Sequence, residues 1–591
     1  MFRVRCFTSI SVVVLLSFSS ALEVSAESLP DFNENGIVDI PDFLLFVDHF
    51  GSRRGGEGYE ERYDLDGDGE ISVSDFLIFA DHFGKSAGLS EEDLVLSSLA
   101  VTGGIGEMYP AFDSDVRHYA VRCEDATKLQ VSARAKDEKA RVKLNNNQMS
   151  GRDMDEAVVV DSDHDIAIEV GDGQCSVTYV VHCIPPDFPE IKVVKKQAGV
   201  SDGLMFMNLG IKGVNPPFFM VVMDNSGVPR FHRRFSSRRS HFQRHTTGPT
   251  IDGRKVHYSV AKQVPEPRAF SFISEIELFD ESFELIKTIE PLPPVMQATS
   301  HDFLITDEGN FMFMAYNPAQ RDFGVHGVHN TTDPVIQEVT PMGEEVYRWV
   351  GFDHLTIDPD CLWNQFKRDY AHINSIQVIE GDIIASFRGC TQVLRIDRSA
   401  KAEDNPGTRI VWQLGGTDQG ESFPDDRVFL SIEGDEEGRG EFCAQHQPTL
   451  TDAGTLVLFD NGSGCLSARI GESPDRSDLE PFSRVVEYAI DPLSGRASFI
   501  RQFRLEPKYG YTPWWGGVTV LDNGNWLIAW RNDRGYGESL GIEERAVALS
   551  EVDANGTEVF RLNAYSGETY WATYRAYREP EAEIKIPLNL P

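Results

Sequence analysis

A glycine-centred turn between two apolar runs recurs in the C-terminal two thirds of this chain, and that recurrence limits the fold more than any other feature. The copies are Thr250-Ile-Asp-Gly253-Arg-Lys-Val, Thr306-Asp-Glu-Gly309-Asn-Phe-Met, Val378-Ile-Glu-Gly381-Asp-Ile-Ile, Thr451-Asp-Ala-Gly454-Thr-Leu-Val and Leu521-Asp-Asn-Gly524-Asn-Trp-Leu. Their glycines lie 56, 72, 73 and 70 residues apart. A second strand-like block follows most copies, as in Glu345-Val-Tyr-Arg-Trp349-Val, Arg409-Ile-Val-Trp412-Gln-Leu and Glu558-Val-Phe-Arg-Leu. Two hairpins make four strands, and four strands repeated along a chain are the signature of a β-propeller. The run from Phe218 to Gly227 supplies a sixth unit. Residues 190–591 are therefore expected to form a six-bladed β-propeller, and the chain as a whole to be mainly β.

Histidines keep register with the repeat. His301, His446 and His245 each lie eight residues before their glycine, and His372 lies nine before Gly381; Gly516 takes the place before Gly524. The first strand of each blade lines a propeller's axis, so these positions converge on one funnel. The whole chain has only 15 histidines. One alone reads as a buried core residue; the set reads as a site. Three neutral imidazoles suit a transition metal. With Arg388, in Ser386-Phe-Arg388-Gly389, they also suit a tetrahedral oxyanion. One imidazole is equally a candidate nucleophile.

Two N-terminal segments align without gaps and start 33 residues apart: Asp31-Phe-Asn33-Glu-Asn35-Gly36-Ile37-Val-Asp39-Ile-Pro-Asp42 and Asp64-Leu-Asp66-Gly-Asp68-Gly69-Glu70-Ile-Ser72-Val-Ser-Asp75. Oxygen side chains at loop positions 1, 3, 5, 9 and 12, with the peptide carbonyls of Ile37 and Glu70 at position 7, form an EF-hand-type set for Ca2+. Asp rather than Glu at position 12, and one helix per loop, resemble dockerin modules over residues 29–86. That resemblance implies docking to a cohesin-type receptor; a purely structural calcium module fits the same residues. Residues 92–185 alternate polar and apolar in short runs, which predicts a β-sandwich. Leu94-Val-Leu-Ser-Ser-Leu-Ala-Val-Thr, Tyr119 and Tyr179-Val-Val resemble the cadherin-like sandwich domain of bacterial exported proteins.

Residues 1–26 read as a secretory signal, with Arg3 and Arg5, an apolar run over 10–18 and Val24-Ser25-Ala26 before the cut. The mature chain is expected to be secreted or periplasmic, with no transmembrane segment. The formal charge of -38 excludes nucleic acid as a partner. No CxxC pair stands among the eight cysteines. Export permits disulfides: Cys443 with Cys465, which flank the hairpin opened by His446, and second to it Cys361 with Cys390. Cleavage at residue 26 removes Cys6, and the odd remainder leaves one thiol unpaired.

Ser300-His301-Asp-Phe, His372-Ile-Asn374-Ser, Arg388, and Gln445-His446 with Phe459-Asp-Asn-Gly together resemble the arylsulfotransferase family over roughly residues 200–575. The resemblance implies a six-bladed propeller that moves a sulfuryl group from a phenolic sulfate to a hydroxyl acceptor with no nucleotide cofactor. It implies that His446 becomes transiently sulfated, and that His301, His372 and Arg388 bind the sulfuryl group, with Asn374 beside them. His245 comes from the register alone. Trp514-Trp515 reads as an aromatic wall for a phenol. Two other readings share these residues: a non-catalytic propeller that binds sulfated or anionic glycans, and a metal-dependent hydrolase or lyase.

Overall fold

The computed structural model describes residues 29–33, 37–85, 89, 92–173, 175–211, 217–264, 273–322, 327–355, 369–399, 409–416, 427–436, 440–463, 482–505, 511–531, 546–565 and 571–591. The expected signal segment, Asn35, Cys361 and Cys465 lie outside them.

The repeat resolves into six antiparallel units of four strands. The second runs Arg239–Arg244, Tyr258–Gln263, Ile273–Phe279 and Leu285–Ile289. The third, fourth and fifth begin at Gln297–Ile305, Ile373–Ile379 and His446–Leu450, and the sixth at Gly517–Val520. The first unit takes its inner strand, Ala576–Glu579, from the C-terminal end of the chain. That strand pairs with Leu204–Ile211, which continues to Phe218–Met223 and Pro229–Phe235. Glu190–Lys196 adds an outer fifth strand to the last unit. The inner strands pack on one another in sequence, and Ala576–Glu579 packs on both Gly517–Val520 and Arg239–Arg244, so the six close a ring.

Turn chemistry explains the repeat. All five of its glycines take φ between +76° and +83°, where a side chain would be strained. At Gly309, Gly454 and Gly524 the glycine ends a three-residue loop, closed for example by Gly454 N–H donating to Thr451 O at 2.9 Å. Gly381 instead forms a two-residue turn with Glu380 at φ +51°, between the paired Ile379 and Asp382.

Second strands such as Phe218–Met223 and Trp526–Arg531 are buried along their whole length, as expected for strands covered on both faces. The core lies in slabs between successive sheets. One slab packs Trp349 and Ile336 of the third unit on Ile383 and Leu394 of the fourth; another packs Leu458 and Tyr488 of the fifth on Trp412 of the fourth.

The chain divides at Pro186/Asp187, with Leu588–Pro591 belonging to the N-terminal part rather than to the ring. Asp165 N–H donates to Asn589 O at 2.7 Å, and Asn589 N–H donates to Asp165 Oδ2 at 2.9 Å. Within 92–185, a three-stranded sheet, with Leu96–Thr102 at one edge, and a five-stranded sheet share one apolar core.

Cys123 and Cys183, on neighbouring parallel strands with Cα atoms 5.5 Å apart, are bonded to each other. Closing those 60 residues is worth about 4 kcal/mol in the chain-entropy account. Cys175, Cys390 and Cys443 are also disulfide-bonded. No described cysteine is free, so the expected leftover thiol is not among them.

Candidate active site

The inner strands are irregular where they reach the site. Pairing shifts register at Ser240/Gln243, Ala298/Phe303, Ile373/Ser375 and His446/Thr449. His241, His372, Gln447 and Trp515 have positive φ, at +62°, +48°, +47° and +66°. Bulges re-aim side chains, and each non-glycine residue held this way costs on the order of 1–3 kcal/mol. Such strain persists because the neighbouring sheets fix the backbone on both faces.

These bulges gather imidazoles around Tyr574, which enters with the closing strand. The His301 and His372 rings lie 4.8 Å apart, edge to face. The Tyr574 ring is 5.8 Å from His301, 5.9 Å from His446 and 6.1 Å from Trp515. Arg388, Arg575 and Arg238 all act electrostatically on these histidines. The described carboxylates in the cluster, Asp302 and Asp369, are both already engaged by cations or imidazoles.

His446 has a defined tautomer. Asn461 donates through its amide nitrogen to Thr512 O and Trp515 O, both at 2.7 Å, which turns its carbonyl oxygen to His446. His446 Nδ1–H donates to that oxygen at 2.6 Å, so the lone pair resides on Nε2. Burial, then the Arg388 guanidinium, hold this imidazole's pKa well below the usual value. His446 is therefore neutral at pH 7, with its lone pair on Nε2. His301 is held neutral in the same way, by burial and by the neighbouring His372 and His446.

His372 Nδ1 lies 2.5 Å from Asp369 Oδ2, while Asp369 Oδ1 accepts the His372 backbone N–H at 3.1 Å. A carboxylate behind an imidazole fixes the tautomer and supports proton transfer at the other nitrogen. Arg388 opens a tight turn whose N–H donates to His372 O at 3.0 Å. A Cβ at Gly389 would strike the carbonyls of Tyr370 and Ala371. The guanidinium and the imidazole are thus set by one piece of backbone.

Asp302 ties the units together. Its carboxylate meets His241 Nε2 at 2.6 Å and Arg575 Nη1 at 2.9 Å, and accepts Ile376 N–H at 3.0 Å. Arg575 also donates to Asn374 O at 2.8 Å. Asp302→Asn leaves the Arg575 charge buried without its counter-charge. We expect a loss of about 3–5 kcal/mol, read as a lowered denaturant midpoint; an unchanged midpoint would contradict this role.

Other expected residues sit differently. The Asn374 side chain is fully buried, with its Nδ2 donating to Gln445 O at 2.7 Å; it positions the backbone beside His446. His245 points away from the cluster, with Nε2 2.7 Å from Ser259 Oγ. The reason is local: Gly253 belongs to a small added hairpin, Thr250–Ile251 with Arg254–Lys255, beyond the unit's own strands. Counting from it overshoots, and His241 reaches the cluster instead. Trp515 is flanked by guanidinium groups, Arg238 and Arg531 each lying 4.1 Å from its ring, so it is not an open wall; Trp514 is 42% exposed. His241, Tyr574, Arg575, Asp369 and Asn461 were not singled out from the sequence. Ser240-His241-Phe242 does echo Ser300-His301-Asp-Phe.

The buried histidines carry a pH signature. Burial and His241 push His245 down to about 3, and His241, His301 and His446 are also lowered. Below pH 6.5 the unfolded chain binds protons that the native chain does not, so stability rises with pH there. It is complete above 6.5 and is lost as pH falls toward the folded values. The thermal midpoint is expected to be lower at pH 5 than at pH 7.5; equal midpoints would contradict this.

In the N-terminal module, Asp64, Asp66 and Asp68 bring carboxylate oxygens within 4.8 Å of one another. Asp64 Oδ1 is buried with no hydrogen-bond partner, which fits a hard cation. Asp75 accepts Leu65, Asp66 and Ser72 N–H at 2.6–3.1 Å. Ser72 caps the helix Val73–His82, and Asp39 and Asp42 form the matching capping box of Ile40–His49. Among the described residues the three ring histidines form no comparable metal-ligating group. Both helices leave apolar side chains exposed, Ile40, Leu44 and Val47 on one and Val73 and Leu77 on the other.

Neutral imidazoles set among guanidinium groups, on a ring of β-sheets, define a protein that handles anionic groups. More than half of the chain, residues 190–575, matches the arylsulfotransferase (ASST) family model, and the chain belongs to that family. Residues 29–83 match the dockerin type I domain. No curated protein matches the chain. Among solved structures, a putative 6-phosphogluconolactonase from Bacteroides fragilis is 12% identical, with 62% of this chain and 84% of that chain covered and a TM-score of 0.33. The periplasmic gluconolactonase of Pseudomonas aeruginosa is 14% identical, with 63% and 99% covered and a TM-score of 0.32. Likenesses this distant carry no argument here.

Proposed function

We propose that this protein is an exported aryl-sulfate sulfotransferase working through a sulfohistidine. The ring of six units is read as a six-bladed propeller with the histidines at its mouth. The observation that carries the reading is the His446–Asn461 bond, which leaves a neutral imidazole with its lone pair on Nε2 beside Arg388. Nε2 attacks sulfur, the bond from sulfur to the aryl oxygen breaks, and the phenolate leaves with that electron pair. Arg388 and His301 hold the sulfuryl oxygens, and His372, backed by Asp369, gives the phenolate its proton. In the second half His372 takes the proton of the acceptor hydroxyl, whose oxygen attacks sulfur and releases His446. The test is transfer from 4-nitrophenyl sulfate to phenol with no nucleotide added; binding without turnover would favour a glycan-binding propeller instead.

The dockerin segment is proposed to hold Ca2+ in both loops, with Asp31, Asn33, Asn35, Ile37, Asp39 and Asp42 in the first and Asp64, Asp66, Asp68, Glu70, Ser72 and Asp75 in the second. Its exposed helix faces are proposed to dock on a cohesin-type receptor. Chelation is expected to remove a low-temperature unfolding transition that returns with Ca2+ and is lost in Asp64→Ala. A transition indifferent to chelator would contradict this.

Among the described residues no helix is long and apolar enough to cross a membrane.

A further inference from the structure

The Arg238 guanidinium, at the site, has no counter-charge among the described residues. The buried arginines Arg239, Arg484, Arg575 and Arg578 each meet a carboxylate: Glu277, Asp435, Asp302 and Glu551. The guanidinium of Arg238, next in sequence to Arg239, makes neither an ion pair nor a hydrogen bond among the described residues; the residue's backbone carbonyl accepts Gln263 N–H at 3.0 Å. Its guanidinium carbon lies 4.1 Å from the Trp515 ring, and that of Arg531 lies at the same distance. Both guanidinium groups thus stack on the one indole. Stacking uses none of the five N–H donors of Arg238. Burial, and then Arg531, lower its pKa to about 10, the sign of a charge that lacks a counter-ion.

Position indicates what that counter-ion is. His301 and His446 are buried, whereas Arg238 and Trp515 are partly exposed. The Tyr574 ring neighbours both, 5.9 Å from His446 and 6.1 Å from Trp515, so Arg238, stacked on Trp515, is linked to His446 through a run of aromatic contacts.

We propose that Arg238 binds a carboxylate on the aromatic substrate, so that the enzyme prefers sulfated hydroxybenzoates, and the corresponding phenols as acceptors, over neutral aryl substrates. This inference rests on the sulfotransferase reading of the site. The planar carboxylate matches the guanidinium fork, and Trp515 holds that fork in place.

Two measurements test it, each on the wild-type protein, Arg238→Gln and Arg238→Lys. One compares kcat/KM for 4-carboxyphenyl sulfate with that for 4-nitrophenyl sulfate. The other compares, by calorimetry, the Kd of 4-hydroxybenzoate with that of 4-hydroxybenzamide, which has the same shape without the charge. The preference for the carboxylated compound is expected to fall by about 10- to 100-fold in Arg238→Gln and to be partly kept in Arg238→Lys. A preference unchanged in Arg238→Gln, or absent from the wild type, overturns the proposal. If no donor supports transfer, the sulfotransferase reading fails, while the pair of Kd values still decides whether Arg238 selects a carboxylate.

Discussion

Replacing His446 with alanine is expected to lower kcat for sulfuryl transfer by about 10^4-fold or more, the scale seen when a nucleophile is removed from an otherwise intact site. Arg388, His301 and His372 remain to bind the donor, so KM should move far less than kcat. The variant also leaves Asn461 Oδ1 buried without its donor, since His446 Nδ1 is the group that reaches it, at 2.6 Å. That costs about 1–3 kcal/mol of stability, so folding must be checked beside activity. A His446→Ala protein that is folded and retains transfer within tenfold of wild type would sink the nucleophile assignment.

Arg388 gives the second-largest expected effect. Its guanidinium follows burial as the largest influence that keeps His446 neutral, and its turn is bonded to the backbone of His372. In the proposed reaction it meets the charge that builds on the sulfuryl oxygens as the aryl bond breaks. Removing one such preorganised donor costs about 10²–10³ in kcat, and this is the loss expected for Arg388→Gln. Arg388→Lys should recover only part, because an ammonium cannot contact two oxygens in one plane. Loss in KM alone would show that Arg388 binds the ground state and the transition state equally.

Much of this arrangement was legible in the chain, for identifiable reasons. The hairpin glycines marked the units because φ near +80° excludes most side chains, and the histidine register followed from strand length between bulge and turn. His372 stands nine rather than eight residues before its glycine although Gly381 closes a shorter, two-residue turn, because the stretch from His372 to Ile379 is longer than that from His446 to Thr451. His245 misled because its glycine belongs to an added hairpin, and the true neighbour, His241, sits on a bulge four residues earlier. Tyr574 and Arg575 lie beyond Glu558-Val-Phe-Arg-Leu, the last strand-like block that the repeat marks. The first unit lacks an inner strand of its own, and seeking that strand at the C-terminus would have led to Ala576–Glu579 and the two residues before it. Asp369 stands three residues before His372 in no recurring motif, and Asn461, although within Phe459-Asp-Asn-Gly, shows its role only when the hairpin brings it to His446.

The covalent state of His446 is the most direct test of the central claim. The protein is exposed to 4-nitrophenyl sulfate without acceptor, quenched under alkaline conditions, digested, and the peptide containing Gln445-His446-Gln447 is weighed. A gain of one SO3 group, localised to His446 and removed when phenol is added before the quench, is the predicted result. An unmodified His446 peptide from protein that is turning the donor over would contradict the account.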